Sequence, residues 1–148
     1  KMKKFKISDY KKLHPGGSLG MKMLQVKEIM HKQNKMPIVL ENANMKSVLI
    51  EMTKKSFGHV GVKNNKNELI GIITDGDLRR NMNKDFFNLK AKKIMTYNPK
   101  LITSDEFVLN ALNIMNKKKI TCLFVIKDSK NKIPIGIIHI HDCIRYAG

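Results

Sequence analysis

The apolar residues of this chain follow two rhythms, and the same order of rhythms occurs twice. Met45, Val48, Leu49 and Met52 fall at i, i+3, i+4 and i+7, one face of a helix. Val108, Ala111, Leu112 and Met115 repeat that spacing 63 residues later. Short apolar runs surround each helix. In the first half, Ile38 to Leu40, His59 to Lys63 and Glu68 to Thr74 predict strands, with Asn64-Asn65-Lys66-Asn67 as a hairpin turn. In the second half the pattern predicts a strand near 100–103, a helix over about 105–117 with Ser104 as its N-cap, and strands at 121–127 and 133–139 around Ser129-Lys130-Asn131-Lys132. A further helix follows the last strand of each half, starting near Asp75 to Asp77 and near His141. Each unit reads β-α-β-β-α, which places the chain in the α/β (α+β) class.

The ends of the two units agree as well. Ile29-Met30 opens the first and Ile94-Met95 the second; Gly71-Ile72-Ile73 closes the first and Gly136-Ile137-Ile138 the second, both at a shift of 65. The change between 65 and 63 falls in polar stretches, the loop His31 to Met36 and the hairpin Lys127 to Lys132. Insertions collect in loops because a packed face cannot absorb them. A unit of roughly 60 residues is marginal alone. Each repeat is therefore expected to bury its apolar face against the other, as two copies about a pseudo-twofold axis with clefts between them. Residues 1–25 belong to neither repeat; 26–90 and 91–148 are the two units.

Charge and composition narrow the function classes. With 42% apolar residues the chain has enough to build a core. No run of about 18 apolar residues suggests a membrane span, and the basic start KMKKFKISDY lacks the apolar stretch of a secretory signal. Cys122 and Cys143 lack metal-ligand spacing and sit in apolar patterns, so we expect buried free thiols, no metal site and a cytoplasmic protein. The net charge of +17 is almost all lysine; the arginines are Arg79, Arg80 and Arg145. Arginine is the preferred group for bidentate phosphate and base contacts. Lysines spread among asparagines read as a solvated surface, which makes a nucleic-acid-binding protein the weakest reading.

The strand-to-helix junction of the first unit carries the candidate chemistry. It runs Thr74-Asp75-Gly76-Asp77-Leu78-Arg79-Arg80. Thr74 offers a hydroxyl to a phosphate, Gly76 admits a ligand close to the backbone, Asp77 accepts from the two hydroxyls of a ribose, and Arg79 or Arg80 meets a phosphate. Free N–H groups at a helix start favour the anion. The same residue types also make an ordinary capped helix, and both readings stand on the local string. Asp142 recurs at the place of Asp77, with His139 at the place of Thr74 and His141 beside them. His139 and His141 are candidates for lining a second cleft. His31 and His59 read as loop and strand-surface residues.

With these residues in view, the chain resembles a tandem pair of cystathionine-β-synthase (CBS) domains over about residues 26–146. The resemblance implies two repeats that bind adenosine-type nucleotides in their clefts, with Thr74 and Asp77 matching the family's hydroxyl-x-x-Asp pattern and Asp142 keeping only its acid. A narrower resemblance rests on His14-Pro15-Gly16-Gly17-Ser18-Leu19-Gly20, Ile29-Met30, the TDGDLRR string at 74–80 and His139-Ile140-His141-Asp142. In that order these are similar to the C-terminal part of D-arabinose 5-phosphate isomerases, aldose-ketose isomerases built as a sugar isomerase (SIS) domain followed by a CBS pair. That resemblance implies a catalytic SIS domain before Lys1 and no activity for the 148 residues alone. His14 would be a catalytic residue of the full-length enzyme. It further implies a homodimer through the CBS pairs and a regulatory ligand such as AMP, ATP or CMP-Kdo, for lipopolysaccharide or capsule synthesis. A structural dimerisation module with vestigial clefts is the alternative.

Overall fold

The computed structural model describes residues 23–83 and 85–147. The HPGGSLG string, His14 included, lies outside the described residues. The first repeat runs α1 (Val26–Ile29), β1 (Ile38–Leu40), α2 (Met45–Lys55), β2 (His59–Lys63), β3 (Leu69–Thr74) and α3 (Asp75–Arg80). The second runs α4 (Ala91–Ile94), β4 (Thr96–Tyr97), β5 (Leu101–Thr103), α5 (Val108–Lys118), β6 (Cys122–Asp128), β7 (Asn131–His139) and α6 (Ile140–Ala147). In each repeat the first long strand pairs parallel with the second, and the second pairs antiparallel with the third. The registers are equivalent: Ile38 faces Gly61 as Leu101 faces Phe124.

The duplication extends to backbone detail. Gln33 (φ 56°) and Asn98 (φ 54°) are both left-handed, as are Ser56 (φ 64°) and Lys119 (φ 57°) at the ends of α2 and α5. Four unrelated side chains adopt a costly φ at two paired places. The fold, not the residue, demands the turn there.

The helical faces read from the sequence are the buried ones. Met45, Val48 and Met52 lie in one core, and Val108, Ala111, Leu112 and Met115 in the other. A third cluster, with Leu69, Cys122, Phe124 and Ile137 buried, joins the two sheets across the pseudo-axis. Phe124 fills the space that its symmetry mate Gly61 leaves open, since a Cβ on Gly61 would lie 2.8 Å from the Phe124 ring.

What joins the repeats most firmly is an exchange of their leading segments. Thr96 and Tyr97 form a fourth strand on the first repeat's sheet, opposite Ile72 and Gly71. His31 makes the matching bridge to Ile137 in the second repeat. The helix starts follow the same rule. Met45 donates its N–H to Leu89 and Ala91 to Ala43; in the other direction Val108 donates to Leu24 and Val26 to Glu106. Each lead thus satisfies backbone groups of the opposite repeat.

This exchange corrects one expectation. Ser104 is not the N-cap of α5. It is buried in the turn just after β5, its N–H donating to the carbonyl of Ile126, and the helix starts only at Val108. Phe107 occupies the cap position without a side-chain bond, because the carbonyl of Leu24 already receives the first helical N–H. The second hairpin is also tighter than read: β6 reaches Asp128 and β7 begins at Asn131.

Candidate functional site

Each repeat ends with a strand that feeds a capped helix, and the two caps are built from different side chains. At the first, Thr74 accepts from the N–H of Asp77 through its hydroxyl (3.4 Å), and the Asp77 carboxylate takes the N–H of Thr74 in return (2.9 Å). This is a capping box. The other carboxylate oxygen accepts from Arg80 (2.6 Å) and from the hydroxyl of Thr96 (2.9 Å), the residue delivered by the exchanged lead. Asp77 is buried, and burial alone would raise its pKa. Hydrogen bonds from the Thr74 N–H, Thr96, Arg80 and the Thr74 hydroxyl outweigh that and hold the carboxyl below the usual aspartate value.

The second cap keeps the plan and changes the chemistry. Asp142 accepts the N–H of His139 (2.9 Å), as Asp77 does for Thr74. His139 caps with a ring nitrogen: its Nδ1 accepts from the N–H of His141 (3.0 Å). His31 Nε2 lies 3.0 Å from the Asp142 Oδ2, in the place Thr96 holds in the first repeat. The bonds from His139 and His31 both fall on Asp142 Oδ2, whereas those to Asp77 use both of its carboxylate oxygens. Arg145, the counterpart of Arg80, makes no ion pair with Asp142.

Aromatic rings gather around this second cap. Phe57 meets His31 edge-on at 5.2 Å and tilts toward His139 at 6.4 Å, while His139 and His141 stack at 4.8 Å. Beside them is a cavity of about 530 Å³ lined by His31, Asn34, Lys35, Lys54, Lys55 and Phe57. Its symmetry counterpart, about 590 Å³, has Pro99, Lys100, Lys118 and Ile120 at the corresponding places and no aromatic ring among its lining residues. Burial, then the neighbouring His141 imidazole, hold the His139 pKa below the ordinary histidine value; Asp142 opposes them, and His59 and His31 add to them. Burial pushes both thiols, Cys122 and Cys143, up to about 12, so neither is a nucleophile at neutral pH.

The structure therefore brings Thr74, Gly76, Asp77 and Arg80 together, and His139, His141 and Asp142 together. Gly76 lies against the guanidinium of Arg80 and the Thr74 hydroxyl. Asp75 and Arg79 are exposed on the outer side of α3 and take no part in the bonds to Asp77. His31 is not a bystander of the loop, because the lead exchange carries it to Asp142, 111 residues away. Thr96, Phe57 and His59 were likewise not read as site residues. Thr96 and His31 had a signal: each follows one of the paired Ile-Met steps at the shift of 65. Among the described residues no group of His, Cys, Asp or Glu is placed to hold a metal ion, and no helix is long and apolar enough to cross a membrane.

Comparison with known proteins agrees with this geometry. The CBS-domain pattern matches residues 26–84 and 91–148. The chain is 42% identical to an uncharacterized protein of Rickettsia prowazekii over 95% of its length, and 40% identical to the arabinose 5-phosphate isomerase KdsD of Francisella tularensis over 98%. It spans only 43% and 44% of those two proteins. Among solved structures it superposes on CBSX2 in complex with AMP (TM-score 0.74, 19% identity, 84% of this chain and 96% of that one). It also superposes on the CBS domain of a bacterial CNNM/CorC family Mg2+ transporter in complex with ATP (TM-score 0.75, 16% identity, 95% and 96%). With two matched repeats exchanging their leads around paired Asp-capped helix starts, the chain belongs to the CBS-domain family and carries a tandem CBS pair similar to that of KdsD arabinose 5-phosphate isomerases.

Proposed function

We propose that this chain is the ligand-sensing regulatory part of an arabinose 5-phosphate isomerase. The parent enzyme would interconvert D-ribulose 5-phosphate and D-arabinose 5-phosphate in the cytoplasm, on the route to Kdo. Its catalytic SIS domain would belong to the same polypeptide, and the CBS pairs would join two copies. The observation that carries the reading is the first cap: a buried carboxylate, Asp77, reached from both repeats and covered on its outer side by one cation. The Arg80 side chain is 68% exposed, so it is free to leave. A ribose diol replaces it on Asp77, and Arg80 turns to the phosphate, with Thr74 and Gly76 alongside. The adenine nucleotides in structurally similar CBS pairs favour AMP or ATP as ligand. CMP-Kdo fits the same chemistry as a feedback product. A ligand that prefers one state of the attached enzyme would regulate it by that difference in affinity.

Thermal unfolding with AMP, ATP, CMP and CMP-Kdo tests this. A ligand at 100 times its Kd adds about 2.7 kcal/mol of stability, so at least one of the four raises the melting temperature by several degrees. Thr74→Val and Arg80→Ala, which leave the Asp77 carboxylate in place, reduce that rise. No shift with any of the four at millimolar concentration supports the alternative of a structural module with vestigial clefts.

A further inference from the structure

Four of the five histidines in this chain, His31, His59, His139 and His141, gather around the second cap, and His31 also lines the cavity beside it. They arrive from four places in the fold: the exchanged lead, the start of β2, the end of β7 and the start of α6. The first cleft has hydroxyls at the two matching cap positions, Thr74 and Thr96, where the second has His139 and His31. We propose that the second cleft is a proton-coupled anion site: a phosphate-bearing ligand enters beside the second cap together with a proton taken up at His139 Nδ1. The proposal rests on reading the clefts as ligand sites and adds the coupling.

The surroundings of His139 disfavour an imidazolium there. His139 is half-buried and faces His141, His59 and His31; Asp142 is its one close carboxylate. Cys122, its strand partner, stays neutral with a pKa of about 12, and Asp75, which follows the strand partner of His59, lies near Gly58. The cavity next to Phe57 adds Lys35, Lys54 and Lys55, of which Lys55 is paired with Glu51 at 3.7 Å. Geometry adds a further cost. His139 Nδ1 is already the acceptor for the N–H of His141, so a proton there breaks the cap.

A phosphate changes each of these conditions. Its negative charge offsets the neighbouring imidazoles and lysines. Its oxygens accept the N–H that His141 gives up and the new N–H of His139, so the broken cap bond is replaced by two bonds to the ligand. The lysines at the cavity supply electrostatic attraction; His139 supplies the part that depends on pH. By linkage, a site that takes up a proton with its ligand binds more tightly as pH falls. The ligand's own ionisation works the other way. A phosphate monoester loses charge as pH drops toward its second pKa near 6, so tighter binding in acid cannot come from the ligand.

Isothermal titration of the chain with AMP, at pH 6 and pH 8 and in two buffers of different ionisation enthalpy, tests the coupling. The expected result is an affinity at pH 6 at least about tenfold above that at pH 8, where full uptake of one proton across the two pH units would give about a hundredfold, with net proton uptake between the two pH values. In His139→Thr, which copies Thr74, the uptake disappears and the binding that remains is no tighter at pH 6 than at pH 8. The proton count on the unaltered chain needs no variant, so a folding defect in His139→Thr leaves the test intact. AMP binding with equal or weaker affinity at pH 6 and no proton uptake overturns the proposal while the sensor reading stands. No AMP binding at either pH overturns both.

Discussion

Gly136→Val lowers the stability of the folded chain by about 2–3 kcal/mol, and Gly71→Val by about 1–3 kcal/mol, the range for overfilling a packed site. The reason lies in the exchanged leads. A Cβ built on Gly136 runs into the Met30 side chain at 2.5 and 2.9 Å and into the main-chain oxygen of His31 at 3.1 Å. A Cβ on Gly71 meets the Cγ of Met95 at 2.8 Å and its Cβ at 3.1 Å. The two Ile-Met steps and the two Gly-Ile-Ile strands are thus halves of one contact, made twice and each time between repeats. Neither methionine can yield by its free end alone, and at Gly136 the backbone is also in the way. Urea unfolding measures the loss. Met30→Ala in the Gly136→Val background is expected to recover part of it, a coupling of the size seen between touching residues. Strictly additive losses in that cycle contradict the contact.

Asp77→Ala costs about 3 kcal/mol, because it orphans the Thr74 N–H and the Thr96 hydroxyl and leaves a hole under Arg80. Asp77→Asn keeps one acceptor oxygen and costs less. The acid dependence follows from the pKa. The carboxyl is lowered in the folded chain, so the unfolded chain binds the proton first as pH falls. The contribution is complete above about pH 4, the ordinary aspartate value, and is lost as pH drops from there through the folded pKa. The stabilities of the unaltered chain and Asp77→Asn therefore converge below pH 4. A gap that stays constant from pH 7 to pH 3 refutes the ionised, hydrogen-bonded carboxylate. Asp142→Ala costs less than Asp77→Ala, since Arg145 makes no ion pair with Asp142 to match that of Arg80 with Asp77.

What was legible beforehand was whatever side-chain periodicity encodes. Val48, Met52, Leu112 and Met115 announce their buried faces through spacing alone, and the bulk of the two β-α-β-β-α units follows from it. The lead exchange was not legible. It is made of backbone bonds, such as Ala91 to Ala43 and Val108 to Leu24, whose partners need no particular side chain. Ser104 shows the consequence: a good cap residue loses to a strand bond because a distant carbonyl already serves the helix. The same blind spot hid the site. Thr74 and Asp77 are neighbours in sequence and could be read, but Thr96 and His31 reach their carboxylates only through the exchange. Phe57 follows a left-handed turn at Ser56 and carried no motif at all. The imidazole cap of His139 departs from the Ser, Thr, Asp and Asn rule for helix starts.

The central claim is that ligands are read at the two Asp-capped helix starts between the repeats. An amide NMR spectrum of the chain titrated with AMP tests it most directly. Saturable shifts are expected at residues 74–80 and 96 on one side and at 31, 57 and 139–142 on the other, with the interiors of α2 and α5 unmoved. Saturable shifts confined to the groove formed by Tyr97, Asn98 and the Ser129-Lys130 hairpin, with both caps silent, would contradict it.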